Sequence, residues 1–329
     1  MGLSDKHIIA IKAEDTYGED AFDDSEPDAS DWLAVFEHPE IQESYQEMGP
    51  EEITADGFGG QSRAVGDMTE VAFETYLVGK EDAAGDPPPV LSELFKASNM
   101  AETVNTDTDV EYDLTFGADQ DEVPSMTVYE AIRDDVSGDW YVRVVTGVRG
   151  TWTLTFEDGS DVMLSFEGRG LFSELDETTT SITAPSKGDY SGGKDRIKVQ
   201  GITFKLDGSD HSITNLEIET GMSVFSNRDL TGDHSTDQVK LHLAQGDRPG
   251  GSGTWASGEW SDVHTKARPD DDGNPPKGTL EVEVGDADDT VTIKGDGCVV
   301  GAYSKSLEGG NYEFETPLTF LDGLSMTFD

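Results

Sequence analysis

The sequence predicts a mainly β protein with one short flanking helix, and three observations carry that expectation. First, threonines at 151, 153 and 155 alternate with Trp152, Leu154 and Phe156; after Asp158-Gly159 the alternation resumes with Val162, Leu164 and Phe166. This is the pattern of a hairpin with one oily and one wet face. Second, short alternating runs recur through the chain, at 67–78, 110–116, 125–129, 140–145, 197–206, 213–220, 222–225, 238–243, 279–284, 290–294 and 311–320. Third, only VLSELFKASNM at 90–100 has helical spacing, with Val90, Leu91, Leu94, Phe95 and Ser98 on one side. Three turns do not persist alone, so this helix is expected to lean on a sheet and cap an open β-sandwich.

Taken in order, residues 1–50 show little periodicity beyond Ile8, Ile9 and Ile11 and the apolar knot 32–36, WLAVF. They read as an arm that packs on a neighbour or as an ordinary loop with an apolar anchor. The first β domain is expected at 51–180, containing the helix, and a second, related one at 181–329. The boundary falls in a Ser/Thr/Gly/Lys-rich interval at 171–195, after which the β pattern restarts. Gly150-Thr151 and Gly278-Thr279 open similar strand pairs in the two halves.

The charge is extreme: 69 acidic residues face 22 basic ones among 329, a formal net charge of −47. The excess is spread along the chain, and 34% of residues are hydrophobic, so the chain is expected to fold. A surface of this kind cannot grip nucleic acid, which needs clustered Lys and Arg, but it can let nucleic acid slide past. The single cysteine, Cys298, excludes an intrachain disulfide framework and reads as a small buried apolar residue. The stretch MGLSDKHIIAIKAED lacks the apolar run of an export signal or membrane helix, so neither export nor a membrane partner is expected.

Catalytic motifs are not found. The glycine-rich GFGGQSRAVG has Asp67 where a phosphate loop needs lysine, and there is no HExxH or GxSxG. No enzyme, cofactor or catalytic residue is expected. Asp270, Asp271 and Asp272, before Gly273, form an acidic loop that fits solvent better than a cation, since no EF-hand frame follows. Trp255 and Trp260, on the glycine-rich loop expected at GSGTWASGEW, are candidates for an inter-subunit contact, with sugar or base stacking as the alternative.

Four stretches, in this order, resemble the major tail tube proteins of long-tailed viruses with non-contractile tails. They are GFGGQSRAVGDMTEVAFETYLVGK (57–80), PPPVLSELFKASNMAETV (87–104), the strand pair VEYDLTF and SMTVYEAIRDD (110–135), and TGVRGTWTLTFEDGSDVMLSFEGRG (146–170). The likeness covers roughly 57–170 and more loosely 197–320. It implies a tail-tube-type β-sandwich, with two such domains in tandem here. Inner strands from successive copies would join into a continuous β-barrel around a lumen that DNA traverses without specific binding. Two domains per chain imply three chains per ring; a single decorated domain would close as a hexamer. The resemblance further implies stacking of rings, contacts with tail tip and terminator proteins, and residence in a virion tail assembled in the host cytoplasm.

In that frame the lumen candidates are Thr153, Thr155 and Glu157 from the first half and Lys205 and Asp207 from the second, the latter beside the Asp207-Gly208 turn. The first set lies on a face that reads equally as outer solvent surface. The inter-subunit candidates are Trp32, Phe36, Trp255 and Trp260. The acid load departs from the family pattern and looks like that of a virus of a haloarchaeon. The alternative reading is a halophilic surface or secreted β-sandwich module that binds carbohydrate or a cation.

One prediction follows from charge alone. Self-repulsion destabilises the compact state at low ionic strength, while molar salt shortens the Debye length to about 3 Å. The melting temperature should therefore rise steeply from dilute buffer to molar KCl, and a flat or falling series of thermal melts would remove the halophilic reading.

Overall fold

The computed structural model describes residues 7–22, 27–36, 39–48, 63–79, 89–105, 109–114, 123–133, 139–157, 159–171, 203–206, 208–211, 213–228, 239–245, 247–255, 276–286, 289–308 and 311–328, with single residues and short pieces between them. Among these residues, eighteen strands are linked by antiparallel pairing, and two more form a separate ribbon. The paired strands fall into three stretches. The first runs β2 (Trp32–Leu33), β1 (His7–Ala13), β7 (Met126–Arg133), β8 (Trp140–Glu157) and β10 (Asp176–Thr178). The central sheet runs β3 (Glu40–Met48), β4 (Arg63–Tyr76), β9 (Met163–Leu171), β8, β13 (Ile213–Glu219), β16 (Gly250–Trp255), β20 (Asn311–Phe328) and β19 (Ser304–Glu308). The third runs β5 (Met100–Asn105), β6 (Asp109–Leu114), β20, β18 (Asp289–Val300), β17 (Gly278–Asp286), β11 (Thr203–Leu206) and β12 (Ser209–His211). The ribbon is β14 (Met222–Arg228) with β15 (Val239–Gln245).

Two strands each serve two sheets. β8 pairs with β7 up to Val148 and with β9 from Arg149 onward. The expected strands 140–145 and 151–156 are thus one continuous strand of 18 residues. Glycine permits the transfer at the junction. Gly147 has φ 66°, and a Cβ on Gly150 would stand 2.4 Å from the Phe166 ring and from the Glu167 carbonyl. β20, also of 18 residues, pairs with β16 along its first half and with β6 along its last four residues.

The alternation expected at 151–166 is present: Trp152, Leu154, Phe156, Leu164 and Phe166 are buried, while the threonines between are half-exposed. The helix α1 (Pro89–Ala97) is close to its expected position. It ends where Asn99 takes φ 65°, a left-handed turn that leads directly into β5. Its Leu91, Leu94 and Phe95 are buried. Phe95 meets Trp152 of the central sheet at 6.0 Å and Tyr112 and Phe328 of the third at 5.1 and 6.1 Å. The helix closes the gap between the two sheets.

Among the described residues, strand pairing crosses residue 180 at β8 with β13 and β6 with β20, and Ile197 bonds to the backbone of Leu77 and Val162. One hydrophobic cluster contains residues from both sides, including Trp152, Phe166, Trp255, Val282 and Phe328.

The N-terminal region differs from the expected arm. Seven successive residues of β1 pair with β7, and Ile9, Ile11 and Leu33 belong to the main core. β3 pairs along its length with β4. Ile8, Ile9, Ala10 and Ile11 are buried in succession, so both sides of β1 are covered, and a run of four apolar residues is a signal too short to stand out in an acidic background. A buried polar chain fixes β3 from beneath. His7 Nε2 lies 2.7 Å from Glu130 Oε1, and Glu130 Oε2 faces Arg143 Nε at 3.5 Å. Arg143 donates to the Ile41 carbonyl at 3.0 Å and approaches Glu43 at 3.4 Å.

Deleting residues 1–45 should therefore abolish folding rather than spare it. Ile9, Ile11 and Leu33 are at most 2% exposed, and losing such a side chain costs about 2–5 kcal/mol against a usual total of about 5–15. We expect no cooperative thermal transition from the truncated chain; a sharp melt near that of the full chain would show these strands to be dispensable.

Candidate functional site: the polar face of the central sheet

Pairing places the wet sides of the eight central strands on one face. In one row Thr153 stands between Ser165 on β9 and Glu219 on β13; in the next, Thr155 stands between Met163 and Glu217. Glu217 lies opposite Ser252, which lies opposite Pro317. Asn215, beside Glu157, lies opposite Thr254 and then Glu315. On the other flank Glu167 lies opposite Ala72, and Ser165 opposite Glu74. Glu70, Glu74, Glu157, Glu167, Glu217, Glu219 and Glu315 are all exposed. The face thus presents carboxylates and hydroxyls. Among the described residues of these strands, its exposed cation is Arg169, 3.4 Å from Glu70 and donating to the Val224 carbonyl at 3.4 Å.

The β14–β15 ribbon lies across one end of this face. Between ribbon and sheet is a cleft of about 300 Å³ lined by Thr151, Thr153, Ser165, Glu167, Glu219, Met222, Ser223 and Asp247. A neighbouring cleft of about 530 Å³ is lined by Glu70, Ala72, Thr151, Glu167, Arg169 and Val224, among others. Thr151 is bonded to Thr220 through their hydroxyls at 2.6 Å. Gly221 turns the chain into the ribbon with φ 65°, and a Cβ there would meet the Asp247 carbonyl at 2.6 Å. Thr155 and Glu157 do not line either cleft.

Thr153, Thr155 and Glu157 therefore share one face. Lys205 does not join them, because β11 belongs to the third sheet. There it is bound to Glu281 at 2.6 Å and Glu283 at 3.4 Å, and its hydrogen bond to Glu281 holds its ammonium above the ordinary lysine range. Asp207 lies outside the described residues. The residues that continue the face directly beside β8 from the second half are Asn215, Glu217 and Glu219. Their signal was legible in ITNLEIET, where Leu216 and Ile218 are buried between exposed polar neighbours.

The aromatic candidates separate. Trp255 is fully buried rather than available to a partner. Its indole N–H donates to Thr316 Oγ1 at 2.7 Å, and its ring meets His211 at 5.7 Å. The glycines before it do not make a loop: they let β16 fit between β13 and β20, and a Cβ on Gly251 would stand 1.8 Å from the Glu217 carbonyl. Trp32 is also buried, in a small cluster with Phe22, Tyr129 and Trp140. Trp260, Asp270, Asp271 and Asp272 lie outside the described residues. Among the described residues no group of three or more His, Cys, Asp or Glu is arranged to hold a metal ion.

Phe36 is 53% exposed. Val35 bridges to Thr75 and the Phe36 N–H donates to the Glu74 carbonyl at 2.8 Å, so this segment extends the β3 side of the central sheet. The ring stands edge-on to Tyr76 at 5.7 Å. No protein-family model matches the chain, and no curated protein matches it.

Phe36→Ser should leave folding almost untouched, within about 1 kcal/mol by chemical denaturation, because the ring is largely in solvent. On the expectation that Phe36 is an inter-subunit contact, the substitution should weaken self-association at least tenfold by analytical ultracentrifugation, as loss of an aromatic anchor does. Unchanged association would remove Phe36 from the interface.

Proposed function

We propose that this chain is the subunit of a tail tube, a structural protein of stacked rings through whose bore a DNA genome travels. The observation that carries the reading is the central sheet: eight antiparallel strands, buried on one side and lined with carboxylates and hydroxyls on the other. The resemblance in 57–170 supports the same role. A wall of this chemistry offers phosphates no counterion-releasing contact, whereas Lys or Arg would release about one counterion for each phosphate gripped and retard transit. Its virion setting and a haloarchaeal host belong to this proposal, motivated by the resemblance and the acid load.

Strand geometry favours three chains per ring. With strands about 4.8 Å apart and tilted by about 40°, eight strands span about 50 Å of circumference, so three copies close at a backbone diameter of about 48 Å. Side chains take about 5 Å from each wall, leaving about 38 Å. Two copies leave about 22 Å and six about 86 Å by the same geometry. Duplex DNA, about 20 Å across plus a layer of water on every side, is too wide for two copies and leaves most of the bore of six empty, so it suits three. The binding-module alternative rests on the clefts beneath the ribbon, but the buried Trp255 deprives it of one expected stacking surface.

Electron microscopy of the full-length chain in molar salt should show stacked rings of three copies around a bore; an absent bore would overturn the function, and six copies the count. In the assembled particle, Thr153→Lys with Thr155→Lys should preserve rings while slowing DNA release severalfold. Release at the original rate would remove these positions from the bore.

A further inference from the structure

We infer that the seam between neighbouring copies is formed by β3 of one and β19 of the next, with Gln42 opposite Ser304. The inference rests on the ring reading above but comes from the topology of the central sheet. Among the described residues, β3 pairs only with β4, and β19 only with β20. Each therefore presents an outer edge that no described strand covers, and such an edge is a template for another strand.

Direction and charge select the partner. All seven pairings from β3 to β19 are antiparallel, so the two edges of this even-numbered sheet run in opposite directions. A rotation about an axis along the sheet brings β3 beside the neighbour's β19 in antiparallel fashion, and the alternation continues across the seam. The β3 sequence, EIQESYQEM, has three glutamates and no cation, so pairing β3 with itself opposes like charges. The β19 sequence, SKSLE, supplies Lys305 and two serines.

Register follows from the stagger of the sheet. The row through Glu40 passes Ala72 and Glu167 and crosses β8 at Thr151. The row through Ser304 passes Glu315, Thr254 and Asn215 and crosses β8 at Glu157, six residues further along. A closed sheet of tilted strands accumulates about one residue of stagger per strand, roughly eight over this sheet. Moving the Ser304 row by that amount carries it to Arg149, whose row passes Arg169 and Glu70 and ends on Gln42. Gln42 and Ser304 are both exposed. Phe36 lies on the same edge, which gives its exposed ring a place at this seam.

The test is cross-linking of the full-length chain with a short bismaleimide in molar salt. The native Cys298 is buried and serves as the unreactive background. An equimolar mixture of Q42C and S304C single variants should give a covalent dimer of one copy of each, told apart by a tag. The Q42C/S304C double variant should give a ladder ending at three copies. Dimers from Q42C alone would overturn the inference in favour of β3 self-pairing. Rings visible by electron microscopy but not cross-linked by the mixture would overturn the seam and leave the ring intact. If neither the wild-type chain nor the variants form rings, the ring reading fails, and the seam with it.

Discussion

The ladder between β8 and β13 is the contact on which the rest of the structure depends. It joins residues 153–157 to 215–219, and through it the central sheet becomes one surface instead of two half-sheets. On its buried side Leu154, Phe156, Leu216 and Ile218 enter the common core; on its other side Thr153, Thr155, Glu217 and Glu219 stand together. Because side chains alternate strictly, a slip of one residue here would turn carboxylates into the core and leucines into water. The register of this one ladder thus fixes both the stability of the body and the chemistry of its polar face.

That face illustrates how a heavily acidic protein can keep order among its few cations. Arg143 and Arg149 are buried and occupied with backbone carbonyls, and Lys205 is committed to two glutamates. Arg169 is the exposed cation on the central face, and it stands beside Glu70. Among the described residues, the distribution leaves an extended surface that is mainly negative.

What was legible in the sequence was the periodicity of strands with one buried side. The 151–166 hairpin, the helix before β5 and the alternation at 213–219 could each be read from apolar spacing. The length of β8 could not, because Gly147 and Gly150 look like breaks until Tyr17 and Leu171 are seen to fill the space over the first and the Phe166 ring the space over the second. β16 was read as a loop for a similar reason: its glycines are demanded by the backbones on either side, not by a turn. Trp32 and Trp255 were legible as important but not as buried, since an isolated aromatic in polar sequence looks the same in a core or on a surface. The placement of Lys205 depended on which sheet its hairpin joins, and such long-range pairing leaves no local mark.

The ion chain beneath β3 has a consequence for behaviour in brine. Surface charges on this molecule feel dissolved salt strongly, but Glu130 and Arg143 are 2% and 8% exposed and lie beyond the reach of mobile ions. Arg143 grips the backbone of β3 at Ile41 from that shielded position. The molecule therefore has two electrostatic regimes: an outer one that answers to the medium, and an inner one, screened far less, that ties an edge strand to the core.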